Sequence, residues 1–421
     1  MPKWNIYTPE GVQDILINEC FIKRNIENDI REVFRKSGYF EIETPTFEFY
    51  DTFSVDQESI PQEMMFKFFD RQGRILVLRP DLTIPVARVA AGKFKDFKFP
   101  MRFCYIGNTF RYNESGGGKH NEFTQAGVEL LGAKSPEADA EVIAVAIKAI
   151  KASGLENFQI DIGQVDFFNG LMEESGLDEQ DVEELQKLID RKDFIGMEEI
   201  INQRNIPVRL KQAILDLTRL FGSEEVIDRA EKLVENQRSL NALKHLRNII
   251  DILKDFGLGK YVSVDLGMVR SINYYTGVIF RGFTYGVGFP ILSGGRYDRL
   301  TGKFGKECPA TGFSIGINLL MSALVRQNAD IEKPSVDSLV CYEKEGRKRA
   351  FEICEALRKQ GLVVEMDISM RGLDYIEAYS KAKGIGGIIR VLDDERVEVR
   401  NFETGEVHMT TVSRLKGGCN G

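Results

Sequence analysis

The sequence predicts an α+β fold, interrupted by a helical insertion and followed by a small α/β domain. Three observations carry this prediction. Strand signals cluster between residues 75 and 131 and return between 262 and 293. The stretch between them, from about Asp166 to Phe256, is almost wholly helical in pattern, and strand alternates with helix from Ser338 onward. At roughly 150 residues per domain, the 421 residues allow two or three domains. The expected segments are 1–165 and 257–326 for two parts of one core, 166–256 for the insertion and 334–421 for the last domain. Apolar residues at 43% and charged residues at 29% exclude a disordered or collagen-like chain. The net charge of −8 gives no general attraction to nucleic acid or anionic membranes. No apolar run approaches the ~20 residues of a membrane span, and the start, MPKWNIYTPEG, lacks a signal-peptide core. A cytoplasmic protein is expected. The six cysteines form no CxxC pair and the three histidines are not spaced for zinc, so reduced thiols, no metal and no cofactor are expected.

The elements follow in order. Ile22, Ile26, Ile30, Val33 and Phe34 repeat at helical spacing from about Asn18 to Lys36, and Gly38 is the stop. Strands are expected at Ile75–Leu78, Met101–Tyr112 and Glu122–Leu131. The last two are joined by Glu114-Ser115-Gly116-Gly117-Gly118, which suggests an antiparallel hairpin with a long, mobile loop. A helix starts at Ser135-Pro136-Glu137, with Ser as cap, and ends before Gly154. Gly176, Gly196 and Pro207 break the helical insertion into short pieces. Strands return at Val262–Leu266, Val278–Phe283 and Tyr285–Ser293, followed by an apolar helix from about Phe313 to Val325 and the polar linker QNADIEKPS. The final part reads as strand (Ser338–Tyr342), helix (Gly346–Gln360), strand (Val363–Ile368), helix (Gly372–Lys383), strand (Gly387–Leu392) and a hairpin.

One strand carries polar groups on a single face. In Phe123-Thr124-Gln125-Ala126-Gly127-Val128-Glu129, alternation places Gln125, Gly127 and Glu129 together, the two polar residues ~13 Å apart with room between them. Glu129 is flanked by Val128, Leu130 and Leu131, where an unpaired carboxylate is costly, so a partner cation is expected. Arg111 on the preceding strand suits that role. The plainer alternative is that the two pair with each other or lie on a solvated face. Other polar groups add weight to a site. Arg79-Pro80-Asp81-Leu82-Thr83 puts an acid and a hydroxyl just after a strand end, Arg270-Ser271-Ile272-Asn273-Tyr274-Tyr275 adds an Arg and two Tyr, and Ser293-Gly294-Gly295-Arg296-Tyr297-Asp298 adds a Tyr beside bare backbone.

Together these strings resemble the histidyl-tRNA synthetase branch of the class II synthetases. The matching stretches are Thr8–Asp14, Leu78–Thr83, Phe110–Tyr112, Glu122–Gly132, Arg270–Gly277, Gly294–Asp298 and Gly312–Leu320, in the family's order. The resemblance implies a class II synthetase-like antiparallel sheet flanked by helices, with Glu43-Thr44-Pro45 at a dimer interface. It implies a histidine pocket: Asp81, Thr83 and Gln125 for the ammonium group, with Asp81 one methylene shorter than the family's Glu. Glu129 and Tyr275 would read the imidazole, Tyr274 stands beside them, Tyr297 closes the pocket, and Arg111 and Arg270 face the carboxylate or activated phosphate.

The nucleotide half departs from that pattern. Asn113 stands where the family has the Glu that meets adenine, and Leu319 where an Arg holds the terminal phosphate. A missing cation removes electrostatic stabilisation commonly worth several kcal/mol, so adenylate formation is expected to be absent or very poor. Residues 334–421 resemble a worn anticodon-binding domain. They carry 14 basic against 15 acidic residues, which does not favour RNA binding. Arg371-Gly372-Leu373-Asp374-Tyr375 echoes the family's Arg-Gly-Leu-Asp-Tyr motif at a different place in the chain and is read as coincidence. A synthetase body that keeps its histidine pocket and has its ATP-binding residues replaced resembles the regulatory subunits of short-form ATP phosphoribosyltransferase. That resemblance implies a non-catalytic chain in a hetero-oligomer, required by a catalytic subunit and serving histidine feedback at the first step of histidine biosynthesis. A divergent histidyl-tRNA synthetase is the alternative.

Overall fold

The computed structural model describes residues 6–54, 60–94, 96–98, 100–112, 120–269, 275–329, 332–369 and 371–417. The chain divides into two compact units, Met1–Ile331 and Glu332–Gly421.

The first unit opens with α1 (Ile17–Lys36), whose Ile26, Ile30 and Phe34 recur every four residues and are buried. There follow β1 (Phe40–Glu41), β2 (Phe47–Phe49), α2 (Tyr50–Ser54), β3 (Lys67–Phe69) and β4 (Ile75–Leu78), of which β2, β4 and β3 form a small antiparallel sheet. Next come α3 (Thr83–Lys93) and the hairpin of β5 (Met101–Phe110) and β6 (Glu122–Leu131), paired in register from Met101–Leu131 to Phe110–Glu122. Most of the connecting turn, residues 113–119, lies outside the described residues. α4 (Pro136–Ala152) starts with Pro136 in its first turn; Ser135 occupies the cap position but its hydroxyl accepts no helix amide. After β7 (Phe158–Gln164) the chain runs through α5 (Val165–Ser175), α6 (Glu179–Asp190), α7 (Phe194–Asn202), α8 (Val208–Asp216), β8 (Phe221–Gly222), α9 (Glu225–Glu231) and α10 (Gln237–Asp255). It then returns to β9 (Val262–Asp265), β10 (Val278–Thr284), β11 (Leu292–Arg296) and β12 (Ala310–Gly316), followed by α11 (Ile317–Arg326).

Among the described residues, nine strands form one sheet in the order β1-β5-β6-β12-β11-β10-β7-β9-β8. Its ladders are antiparallel except for β1–β5 and β7–β9. Val128, Phe280, Phe313 and Ile315 project from the sheet into a core shared with Ile30, Ile147 and Leu246 of the flanking helices. Residues of the segment between β7 and β9, among them Leu185, Ile201 and Leu243, belong to the same core. Among the described residues, no helix is long and apolar enough to cross a membrane.

Two expectations are corrected. The strand expected over Tyr285–Ser293 begins at Leu292, because the chain turns at Gly286, which holds a positive φ of 84°. The helix expected from Phe313 begins at Ile317. Ala310–Gly316 is a strand, in which Phe313 and Ile315 enter the core while Gly312 and Ser314 face the other way. β7 has no counterpart in the sequence reading.

The second unit contains β13 (Ser338–Tyr342), α12 (Arg347–Lys359), β14 (Val364–Met366), α13 (Leu373–Lys383), β15 (Gly387–Val391), β16 (Arg396–Asn401), β17 (Val407–Thr411) and α14 (Val412–Lys416). Its sheet has the order β14-β13-β15-β16-β17, parallel in the first three strands and antiparallel in the rest. The Arg371 guanidinium lies over the Tyr375 ring, 4.4 Å from its centroid, at the start of α13.

Candidate functional site

The sheet face turned away from the main core carries the site. Gln125, Gly127 and Glu129 share one pleat of β6, and register sets Gly316, Ser314 and Gly312 of β12 opposite them. Gly312 and Gly127 are there because nothing larger fits. A Cβ on Gly312 would strike the Glu129 carboxylate and the Val128 carbonyl, and one on Gly127 would strike the Phe313 carbonyl and the Tyr105 hydroxyl. Small residues thus leave a small cavity of about 30 Å³, lined by Asp81, Thr83, Arg111, Gln125, Glu129, Tyr275 and Tyr297, and also by Ser293, Gly312, Phe313 and Ser314.

At the bottom lies Glu129, 1% exposed. Its carboxyl accepts from the Tyr105 hydroxyl at 3.1 Å and from the Tyr297 hydroxyl, both tyrosines being buried. Burial pushes the Glu129 carboxyl up to about 8, against hydrogen bonds from Tyr297, Thr83 and Tyr105 that favour the charged form; the nearby Asp81 charge adds to the rise. The expected partner cation is therefore corrected to neutral hydroxyls, two phenols and Thr83, which tolerate a carboxyl that is mostly neutral at pH 7. Burial, and then the Glu129 charge, also raise Tyr105 well above its usual value.

The rim comes from separate elements. Asp81 follows the end of β4, is buried, and accepts from the Ile84 amide at 3.2 Å, which fixes it at the start of α3 beside Thr83. Arg111 donates through Nε to the Pro80 carbonyl at 2.8 Å and lies over the Phe123 ring at 5.6 Å, so it belongs to the Asp81 turn and not to Glu129. Tyr275 lies against Gly295, where a Cβ would overlap its ring. Of the residues expected in the pocket, Arg270 and Tyr274 lie outside the described residues, as does Asn113. Ser293, Gly312, Ser314 and Tyr105 were not foreseen. Strand phase marks the first three only once β11 and β12 are placed beside β6, and Tyr105 enters through its register with Gly127.

Just past β12, at the start of α11, the surroundings change. Asn318 accepts from the Thr124 backbone amide through Oδ1 at 2.9 Å, and Leu319 packs against the apolar core.

A model of the histidyl-tRNA synthetase family matches residues 11–320. The ATP phosphoribosyltransferase regulatory subunit of Acetivibrio thermocellus is 66% identical over 415 residues, 99% of each chain. The chain belongs to the ATP phosphoribosyltransferase regulatory subunit family. A crystal structure described as an ATP phosphoribosyltransferase regulatory subunit/histidyl-tRNA synthetase from Bacillus halodurans superposes with a TM-score of 0.84 at 32% identity, covering 93% of this chain and all of that one. Histidyl-tRNA synthetase from a Nostoc species shares the fold, with a TM-score of 0.82 at 24% identity over 98% of both chains. Within this regulatory subunit family member, the synthetase-like sheet thus holds a small polar pocket, and at the start of α11 Asn318 bonds the Thr124 backbone while Leu319 packs against the apolar core.

Proposed function

We propose that this chain is the non-catalytic regulatory subunit of a short-form ATP phosphoribosyltransferase, needed by the catalytic subunit and conferring histidine feedback on the first step of histidine biosynthesis. The carrying observation is the contrast along one sheet. A buried carboxyl with two phenol partners and a polar rim is present, while Leu319, which the resemblance sets in place of a phosphate-binding Arg, packs against the apolar core.

Free L-histidine offers a complementary group to each of the expected pocket residues. Its ammonium group would meet Asp81, Thr83 and Gln125, its ring N–H would meet Glu129 beside Tyr275 and Tyr297, and its carboxylate would meet Arg111 and Arg270. Binding then favours one state of the assembly, and by linkage the catalytic ligands change histidine affinity in return, with a coupling typically ~1–3 kcal/mol. Dimerisation through the synthetase interface is part of the proposal. Phe40, Phe47, Phe49 and Phe69 are exposed near Glu43-Thr44-Pro45 or on the small sheet, and a second copy would bury them. The synthetase body and the C-terminal unit are read as former substrate and anticodon modules.

The test is to combine the chain with a short-form catalytic subunit and assay phosphoribosyl-ATP formation. The expected outcome is activity that depends on this chain and falls on adding histidine, together with no histidine-dependent ATP–pyrophosphate exchange by the chain alone. Robust exchange would select a working synthetase.

A further inference from the structure

A buried ion network lies directly behind the pocket. Arg296, the last residue of β11, is 5% exposed, and Asp139 in the first turn of α4 is fully buried. The guanidinium grips Asp139 in a fork, Nη2 to Oδ1 at 2.9 Å and Nε to Oδ2 at 3.2 Å. Nη1 donates to the Ala133 carbonyl at 3.0 Å and to Asp298 Oδ1 at 3.1 Å. On the far side, His245 of α10 places Nε2 2.9 Å from Asp139 Oδ2, and its ring is 24% exposed. The network therefore runs from a half-buried position on α10 to the strand end that carries Tyr297.

Arg296 sits between the two pocket tyrosines. Tyr297 is its chain neighbour, and its hydroxyl donates to Glu129. The Arg296 carbonyl accepts from the Thr276 amide at 2.7 Å, and the Thr276 hydroxyl accepts from the Asp298 amide at 3.0 Å, which ties down the residue after Tyr275. Gly277 faces the Arg296 side chain so closely that a Cβ would lie 3.0 Å from its Cδ. Arg296 thus holds the chain on both sides of the cavity mouth, through its carbonyl at Thr276 and its guanidinium at Asp298.

We propose that Arg296 is the positioning residue for Tyr275 and Tyr297, and that His245, acting through Asp139, lets the state of α10 set the pocket's affinity for histidine. This deepens the regulatory reading and rests on histidine being the ligand. A sensor needs a physical route from its cavity to another part of the molecule, and here that route is the hydrogen-bonded series His245–Asp139–Arg296, continued through the backbone to Tyr297 and its hydrogen bond to Glu129.

The experiment is calorimetric titration of L-histidine into the full chain, with four variants beside the wild type: His245→Ala, His245→Gln, Tyr297→Phe and the double variant His245→Ala/Tyr297→Phe. Breaking the surface end leaves Asp139 paired with Arg296, so His245→Ala is expected to fold with a near-normal melting temperature. It is expected to weaken histidine binding on the order of three- to tenfold. His245→Gln keeps an N–H for Asp139 and is expected to restore most of the affinity. In the Tyr297→Phe background the His245→Ala effect is expected to shrink markedly, because the relay's end point on Glu129 is already cut. Unchanged affinity in His245→Ala, or an equal loss with and without the Tyr297 hydroxyl, overturns the relay while leaving histidine as the ligand. A wild-type chain that does not bind histidine removes the ligand reading and the relay with it.

Discussion

The Glu129 end of the sheet and the Asn318-Leu319 end are served by the same two strands, yet they obey different rules. At Glu129 the chain keeps a carboxyl under conditions that disfavour its charge, walled by glycines that add no apolar packing. A core selected for stability alone would replace that carboxyl with a hydrocarbon, since buried polar groups are costly unless fully satisfied. At α11 the opposite has happened: Asn318 closes a backbone hydrogen bond and Leu319 fills apolar space, both ordinary structural work. The difference sets the proposed binding end, where a costly polar group is kept, against an end whose residues bond and pack as ordinary structure.

The comparison breaks most visibly at Gly312. Gly312→Ala drives a methyl into Glu129 and the Val128 carbonyl, so a loss of about 3 kcal/mol in denaturant unfolding is expected, with histidine binding abolished. A variant as stable as wild type would show that the cavity wall is pliable. Next in size is Glu129→Ala, expected to weaken histidine binding by about 2 kcal/mol, roughly thirtyfold, in calorimetry.

Acidity sharpens the contrast further. Glu129 rises from 4.5 to about 8 on folding. An acid whose folded value exceeds its unfolded one lends stability below the unfolded value and loses it as pH climbs through the folded value. Glu129→Gln, which stays neutral, is therefore expected to gain on wild type between pH 7 and pH 9 by about 1.5 kcal/mol, read from melting curves at both pH values. A pH-independent gap would mean that the carboxyl is already ionised at pH 7. The smallest effect belongs to the other end: Asn318→Ala removes one hydrogen bond to Thr124 and is expected to cost about 1 kcal/mol of stability without altering histidine affinity.

Much of this was legible in the sequence. Alternation in β6 placed Gln125, Gly127 and Glu129 on one face, the glycine-rich turn marked the β5–β6 hairpin, and the strand–helix alternation of the second unit was read nearly element by element. β12 was not, because Gly312-Phe313-Ser314-Ile315-Gly316 runs straight into an apolar helix and its short two-residue period is masked by the longer one. The partners of Glu129 were hidden for another reason. Tyr105 and Tyr297 stand 24 and 168 residues away, and only strand order brings them to one carboxyl. Local spacing signalled a costly acid; which groups would satisfy it depended on topology.

The most direct measurement is calorimetric titration of L-histidine into the intact chain at pH 7.5, paired with the same titration into Glu129→Ala. Saturable binding at one site per chain, sharply weakened by the substitution, is the predicted result. No heat from the wild type, or equal binding by both proteins, would contradict the claim that this carboxyl has been kept to recognise the imidazole of histidine.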